Sequence, residues 1–500
     1  MIKSSPYVLF VGCFIAIVTT AFGFLLRAML MDGWAAEFHF SETQKGELFG
    51  VGLWPFAISI VLFSLIIDKI GYKTAMIFGF VCHMASLAMT VTATSYEGLY
   101  WANFVVALGN GTVEAYANPV VATQFSKDKA RWLNILHAGW PGGMVIAGLI
   151  ALAMGDSVGW KAKIMLLAIP AIAYFVILLF QKFPINERVA AGVSYRDMLK
   201  EVGALGAFII TWLISVELSR SAFHAESPLM VGTIAAAIVG IGFFAAVRSL
   251  GRPLFIFMLL IMVPLATTEL GVDSWVTGLL GPALATVGLK GVFVLLYTSL
   301  LMMILRFCAG PIIHRISPLG VLASCAALAA VGLFLLSTAH SWQAIFAFAT
   351  VYAMGKSFFW PTMLGVVSEQ CPKGGALALN ATGGVGMLGV GVLGAMIMGN
   401  IQDHAIDSTL KDSSPKVHEQ VMVDKTGLLG SYHAVDDSKV AALAPDDQKA
   451  VGDARETAKY TALRIVSILP VLMLVCYLIL IFYFRSRGGY KPVDAAAAAH

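Results

Sequence analysis

Apolar residues run along this chain in blocks of about twenty, separated by short polar stretches. The first six blocks fall near 7–31, 46–67, 74–93, 98–124, 132–154 and 161–181. After the polar segment KFPINERVAAGVSYRDMLKEVG, two more lie near 204–219 and 229–247. Six further blocks follow near 254–280, 289–312, 319–338, 342–368, 376–400 and 460–484. About 20 helical residues cross the ~30 Å hydrocarbon core of a bilayer. The pattern therefore predicts an all-α polytopic membrane protein with about fourteen transmembrane helices, arranged six, two, six. Its expected parts are an N-terminal six-helix half (1–181), a cytoplasmic linker with two additional helices (182–253), a C-terminal half (254–484) and a tail (485–500). The N-terminal stretch MIKSSPYVLFVGCF opens an apolar run too long for a signal-peptide core, and reads as an uncleaved first span.

Composition strengthens this picture. Of the 500 residues, 59% are hydrophobic and 12% charged, against about 25% charged in soluble domains. The net charge of +4 is no nucleic-acid signal, because the basic residues gather in loops at the membrane edge. With the N-terminus inside, the inner loops include DKIGYK, SKDKAR, RSLGRP, HRISP and the tail RSRGGYK, while outer loops such as TSYEG and TAHSW are poor in Lys and Arg, GWKAK being a mild exception. The positive-inside rule then predicts that both termini are cytoplasmic, in a bacterial-type plasma membrane. One segment does not look like membrane. Residues 402–458 carry eleven acidic and six basic side chains, and read as an extracytoplasmic solvated loop with a short helix at PDDQKAVGDARETAKY. The six cysteines show no ligand spacing, so neither disulfides nor a metal site is expected.

An internal repeat organises the chain. ALG at 107–109 returns as AMG at 353–355, LN at 133–134 as LN at 379–380, and SLIIDKIG at 64–71 as GPIIHRIS at 310–317, each at an offset of 246. Parallel halves with a solute site near the midplane between them are an architecture of secondary transporters.

Candidate chemistry concentrates in GNGTVEAYANP. Asn110, Glu114 and Asn118 recur every four residues and so share one helix face, with Pro119 next. An ionised acid at mid-bilayer costs roughly 2.5–3.5 kcal/mol on insertion scales, so such residues face cavities or partners. Glu114 is then either an acid that ties helices together or a reversible proton site. At the repeat offset Asn110 maps to Lys356, Glu114 to Trp360 and Asn118 to Leu364. Trp360 offers a flat surface to a sugar ring or a packing face to a neighbouring helix. Glu269 and Asp273 in TTELGVDSW are i,i+4 neighbours. Glu269 is a candidate partner for Lys356 or a second proton-coupling group, whereas Asp273 and Trp275 suit the solute site or its outer mouth. Arg27 on the first span suits a pairing with Glu114, a bound carboxylate, or snorkelling. His137 and Trp140 in LNILHAGWPGG open the fifth span, with His137 read first as a helix contact. The small-residue stretches GWPGGMVIAG and GGVGMLGVGVLG let helices approach closely. No phosphate loop, nucleophile, redox or metal constellation is present, so no enzyme, no cofactor and no ATP-driven transport are expected.

The loop SLIIDKIGYK, with Ser64, Asp68, Lys69, Gly71 and Lys73, resembles the signature loop of the major facilitator superfamily. Its second copy holds His314 in place of the acid and retains Arg315. The resemblance implies gating roles for Asp68, Gly71, Lys73 and Arg315, with Asp68 receiving hydrogen bonds from helix N-termini. VEAYANP further resembles the fourth-span E-x-A-x-N-P pattern of the fucose permease branch, which implies a part in proton-coupled sugar uptake for Glu114 and Asn118. Two features depart from that branch: the first span carries Arg27 where the branch has an acid, and the layout has fourteen spans. The expected function is proton-coupled uptake of a sugar or similar small polar solute by a monomer in the bilayer, with Asn110, Asn118, Arg27, Lys356, Trp360 and Asp273 around the solute. The alternatives are an organic-anion carrier or exporter clamping its solute with Arg27 and Lys356, and a membrane sensor that uses 402–458.

Overall fold

Proline and serine mark where helices begin in the computed structural model, which describes residues 5–39, 42–155, 157–273, 280–281, 284–285, 287–427 and 430–494. Proline sits in the first turn at Pro6, Pro228, Pro253 and Pro318, where its missing N–H would have had no partner. Ser95, Ser194 and Ser341 accept hydrogen bonds from the amides of Gly98, Asp197 and Ala344, capping three further helices.

Among the described residues, eleven helices are long and apolar enough to cross a membrane. The count is twelve if Val292–Phe307 and Ala309–Ile316, bent by 64°, form one span. On that higher count, two of the fourteen expected blocks do not meet the measure. Tyr96–Gln124 is polar, with Asn103, Asn110, Glu114 and Asn118 buried along it. The block near 342–368 is broken into Trp342–Lys356 and Phe359–Gln370. Both still pack within the bundle.

In the first half, Tyr96–Gln124 packs on Tyr72–Thr92, Trp54–Ile70 and Pro6–Phe38. In the second, Pro318–Leu336 packs on Trp342–Lys356 and Ile468–Arg485. Three seams join the halves: Trp54–Ile70 on Gly375–Leu388, Gly139–Ala153 on Val292–Phe307, and Lys129–His137 on Phe359–Gln370. The inserted helices Tyr195–Ser221 and Pro228–Val247 pack on each other, and the first also rests on Gly375–Leu388. The first and last described segments lie at one end of the bundle. Tyr7 sits 6.0 Å from the rings of Phe125 and Trp132, and the Val493 amide donates to the Glu369 carbonyl.

The repeat is visible in the backbone. Gly71 (φ 81, ψ 152) and Ser317 (φ 66, ψ 159) occupy equivalent positions and the same unusual conformation. That region is essentially reserved for glycine and costs a side chain roughly 1–3 kcal/mol. Ser317 recovers a few tenths by accepting from the Gly320 amide at 3.2 Å. Ser317→Gly is therefore expected to stabilise the chain by about 1 kcal/mol, seen as a higher midpoint of thermal unfolding. A lower midpoint would contradict the strain.

Residues 402–458 are not the simple solvated loop that their polarity suggests. Ala395–Ser413 continues out of the bundle at the end opposite the termini, then Pro415–Val421, a two-stranded hairpin and Asp437–Ala441 lead into Pro445–Val466. The strands Met422–Gly427 and Gly430–Val435 pair antiparallel. Ala405, Ile406, Leu410, Val417, Val421, Val451, Ala454 and Ala458 form a small separate core. The apolar positions are sparse but come together from three helices, Ala395–Ser413, Pro415–Val421 and Pro445–Val466, which a composition count overlooks.

Candidate functional site between the two halves

Glu114 projects into a small cavity, of about 40 Å³, lined by residues of both halves: Phe56, Glu114, His137, Trp140, Glu269, Leu270, Arg306, Trp360 and Met387. Its carboxylate accepts from Asn118 Nδ2 at 2.5 Å. Asn118 Oδ1 lies 3.0 Å from His137 Nε2. Because that amide spends its N–H on Glu114, its carbonyl must accept, which fixes the His137 proton on Nε2. His137 Nε2 is 3.8 Å from Glu114 itself. The chain Glu114–Asn118–His137 is thus a buried polar relay across two helices.

The other half of the cavity is built around Arg306. Its Nη2 donates to Glu269 Oε1 at 2.7 Å, its Nε to the Ser357 carbonyl at 2.6 Å, and its Nη1 to the His137 carbonyl at 2.8 Å across the seam. The second Glu269 oxygen accepts from the Trp360 amide at 3.1 Å, an N–H freed by the helix break at Ser357 and Phe358. Glu269 itself lies in a π-helical turn, Thr267–Gly271, a distortion frequent at functional sites. Lys356, fully buried, pairs with Asp273 and lies 5.1 Å over the Tyr352 ring. The expected Glu269–Lys356 pairing is therefore corrected: Arg306 takes Glu269, and Lys356 takes Asp273 one helical turn on. Trp275 lies outside the described residues.

Trp360 lines the cavity and also packs on the small-residue face, where a Cβ on Gly386 would come within 2.8 Å of its ring. Asn110 falls elsewhere. Its Oδ1 meets His83 Nε2 at 3.0 Å, and it lines a second cavity with Arg27, Phe24, Met31, Phe49 and Asn103. Arg27 does not reach Glu114. Its Nη2 donates to Ser86 Oγ at 2.8 Å and weakly to Thr90 Oγ1 at 3.4 Å. One helix face therefore feeds two sites, because neighbouring helices crossing Tyr96–Gln124 divide it.

Proline has a clear consequence here. Pro119 has no N–H to give the carbonyl of Ala115, four residues back. Asn380 Nδ2 supplies the missing bond at 3.0 Å from the other half. Its repeat counterpart Asn134 reaches the opposite way, donating to Thr362 Oγ1 at 3.0 Å. The repeated LN pair thus provides two reciprocal clasps.

The end that carries the termini is closed. Lys129 binds Glu187 at 2.5 Å and the Ser368 carbonyl at 3.3 Å, and Glu369 accepts from the Ala130 amide at 3.3 Å. Gly365 touches Ala130 so closely that a Cβ there would sit 2.7 Å from its Cα. Tyr490 of the tail donates to Glu369 at 2.6 Å. His314 bridges to Asp128 at 3.2 Å. Asp68 accepts from Arg188 at 2.5 Å rather than from a helix N-terminus, so the linker supplies its partner. Lys73 donates to the Leu179 carbonyl at 2.7 Å, Gly71 makes the turn, and Arg315 is exposed. At the opposite end a wider cavity opens between the halves, lined by Phe24, Phe49, Lys163, Asp273, Lys290 and Leu295 among others.

Arg306 is the cavity residue that the sequence hides. It has no repeat partner of similar chemistry and lies eight residues before the basic loop at His314, where a long cation is easily read as snorkelling. A lone arginine in MMILRFCAG was the available signal.

Comparison with known proteins agrees with this architecture. The family model of the Major Facilitator Superfamily matches residues 8–393. A Bacillus subtilis (strain 168) protein named for niacin/nicotinamide transport, NiaP, is 26% identical over 136 residues, 27% of this chain. That match spans about a third of NiaP's length, 34%. Among solved structures, the proton:xylose symporter XylE is 12% identical, with 99% of this chain and 98% of that one covered at a TM-score of 0.62. The E. coli fucose:proton symporter FucP is 14% identical over 92% and 98% of the two chains, at a TM-score of 0.52. The human organic anion transporter MFSD10 is 12% identical over 94% and 100%, at 0.59. At these identities the structures speak to the fold, and the family model carries the assignment: this chain belongs to the major facilitator superfamily.

Proposed function

We propose that this protein is a secondary active transporter that imports a small polar solute, of about the size of a sugar, together with protons across a bacterial-type plasma membrane. The observation that carries the reading is the state of Glu114. It is buried in a cavity between the halves, and its one ionisable neighbour within 4 Å among the described residues is His137, whose Nε2 proton is engaged by Asn118. Glu269 and Asp273, by contrast, each hold a cation. Glu114 is free to gain and lose a proton without breaking an ion pair.

The closed end and the wide opposite end fit one state of an alternating-access cycle. With the termini cytoplasmic, the wide cavity faces outward, ready for solute and proton. Two structural neighbours are the proton:xylose symporter XylE and the fucose:proton symporter FucP. A membrane potential supplies about 2.3 kcal/mol per charge per 100 mV, enough to concentrate a solute moved with protons.

The test is uptake by proteoliposomes containing the full chain, with a panel of neutral and acidic sugars and an imposed pH gradient, acid outside. Accumulation above the equilibrium level, collapsed by a protonophore, is the expected result. Uptake that ignores the gradient contradicts proton coupling, and a panel that never enters the vesicles contradicts uptake of solutes of this kind.

A further inference from the structure

The described residues contain five buried side chains with a positive charge: Arg27, Lys129, Arg188, Arg306 and Lys356. Four of them touch carboxylates, respectively Glu187, Asp68, Glu269 and Asp273 for the last four. Arg27 stands apart. It is 6% exposed, and no acid among the described residues pairs with it. Burying a cation costs several kcal/mol unless a counter-charge and hydrogen bonds compensate. Arg27 has the hydrogen bonds only in part.

Its present acceptors are neutral. Ser86 Oγ accepts at 2.8 Å while donating to the Ala102 carbonyl at 2.7 Å. Thr90 Oγ1 accepts at 3.4 Å while donating to the Ser86 carbonyl at 2.8 Å. The Gly23 carbonyl takes Nη1 at 3.3 Å. A guanidinium has five N–H groups, and the Arg27 Nε is buried with no partner at all. The cavity beside it adds a second donor. Asn110 Oδ1 meets His83 Nε2 at 3.0 Å, and His83 Nδ1 lies 3.1 Å from the Tyr174 hydroxyl. An accepting Asn110 carbonyl leaves its NH₂ group for the cavity that both residues line. Phe24 and Phe49, with ring centroids 5.8 Å apart, form an apolar wall of the same cavity.

The way in has the same sign. Phe24, Ala28 and Phe49 also border the wide cavity, which carries Lys163 and Lys290. Neither lysine is in an ion pair among the described residues, whereas Asp273 in that cavity is held by Lys356. Cationic clefts with apolar walls concentrate anions.

We infer that the transported solute carries a carboxylate, which docks on Arg27 and the Asn110 amide with its body against Phe24 and Phe49. This rests on the transport reading and names the solute class within it: an acidic sugar or another small organic acid. The bound anion supplies the missing charge and the missing acceptor together. Protons entering with it offset its charge.

Equilibrium binding tests the inference without relying on coupling. The purified full-length protein is titrated with matched pairs, glucuronate with glucose, gluconate with sorbitol, and nicotinate with nicotinamide, reading thermal stabilisation. At least one acid is expected to bind about 10- to 100-fold more tightly than its neutral counterpart, the range for a charge-assisted contact. Arg27→Gln should erase that preference, and Arg27→Lys should keep part of it. Should Arg27→Gln fail to fold, the Arg27→Lys variant decides, because a merely structural arginine would not tie acid preference to its charge. Neutral members that match the acids throughout, or acid binding unchanged in either variant, overturn the inference. Acid preference without a response to a pH gradient would sink proton coupling and leave the anion site standing. Gradient-driven uptake that treats acids and neutral analogues alike would do the reverse.

Discussion

Arg306→Ala is expected to abolish solute uptake and to destabilise the folded chain by about 3–5 kcal/mol. The side chain is 1% exposed, and its removal strands the Glu269 carboxylate in the interior. It also leaves the carbonyls of Ser357 and His137 without their donors. Two effects are mixed in that result, and a second variant separates them. Arg306→Met combined with Glu269→Gln removes both charges, so stability should return to within about 1–2 kcal/mol of the parent. Uptake should stay lost, because the bond from Arg306 to the His137 carbonyl joins the relay in one half to the ion pair in the other. Thermal unfolding gives the first quantity and vesicle uptake the second. Robust uptake by Arg306→Ala would show that this link is dispensable.

Glu114→Gln should produce a different phenotype, full loss of accumulation with folding intact. Glutamine keeps the size of the side chain and accepts from Asn118 Nδ2, so the local geometry changes little. What it removes is the proton that the carboxyl binds and releases. Accumulation driven by a pH gradient is expected to fall to the equilibrium level. Exchange of labelled for unlabelled solute, which needs no net proton movement, should persist at a substantial fraction of the parent rate. A variant that loses both would place Glu114 in solute binding rather than coupling.

The separation between these two variants follows from what each acid touches, and that was only partly legible in the sequence. The apolar blocks located most of the membrane-length helices, since about 20 apolar residues have few other uses. The offset of 246 proved to have structural content. Gly71 and Ser317 share one rare backbone conformation, and Asn134 and Asn380 clasp opposite halves. Pairings were not legible. Whether Lys356 meets Glu269 or Asp273 depends on the rotation of two helices and on the break at Ser357 and Phe358, none of which a one-dimensional spacing records. The i,i+4 rule put Asn110 and Glu114 on one face correctly, yet crossing helices sent them to separate cavities. Arg306 was hidden by its nearness to a basic loop. The fold of 402–458 was hidden by polarity, because its core of alanine and branched aliphatic side chains assembles only when three separate helices come together.

Proton movement evoked by solute shows whether Glu114 carries the coupled proton. Proteoliposomes in weak buffer, with a pH dye outside and no imposed gradient, are given an acid selected by the binding titrations. The parent protein should alkalinise the medium as solute enters, with the signal abolished by a protonophore. Glu114→Gln vesicles should show solute exchange and no alkalinisation. Alkalinisation of the same size in Glu114→Gln would contradict the account, because the coupled proton would then travel by a route that does not include this carboxyl.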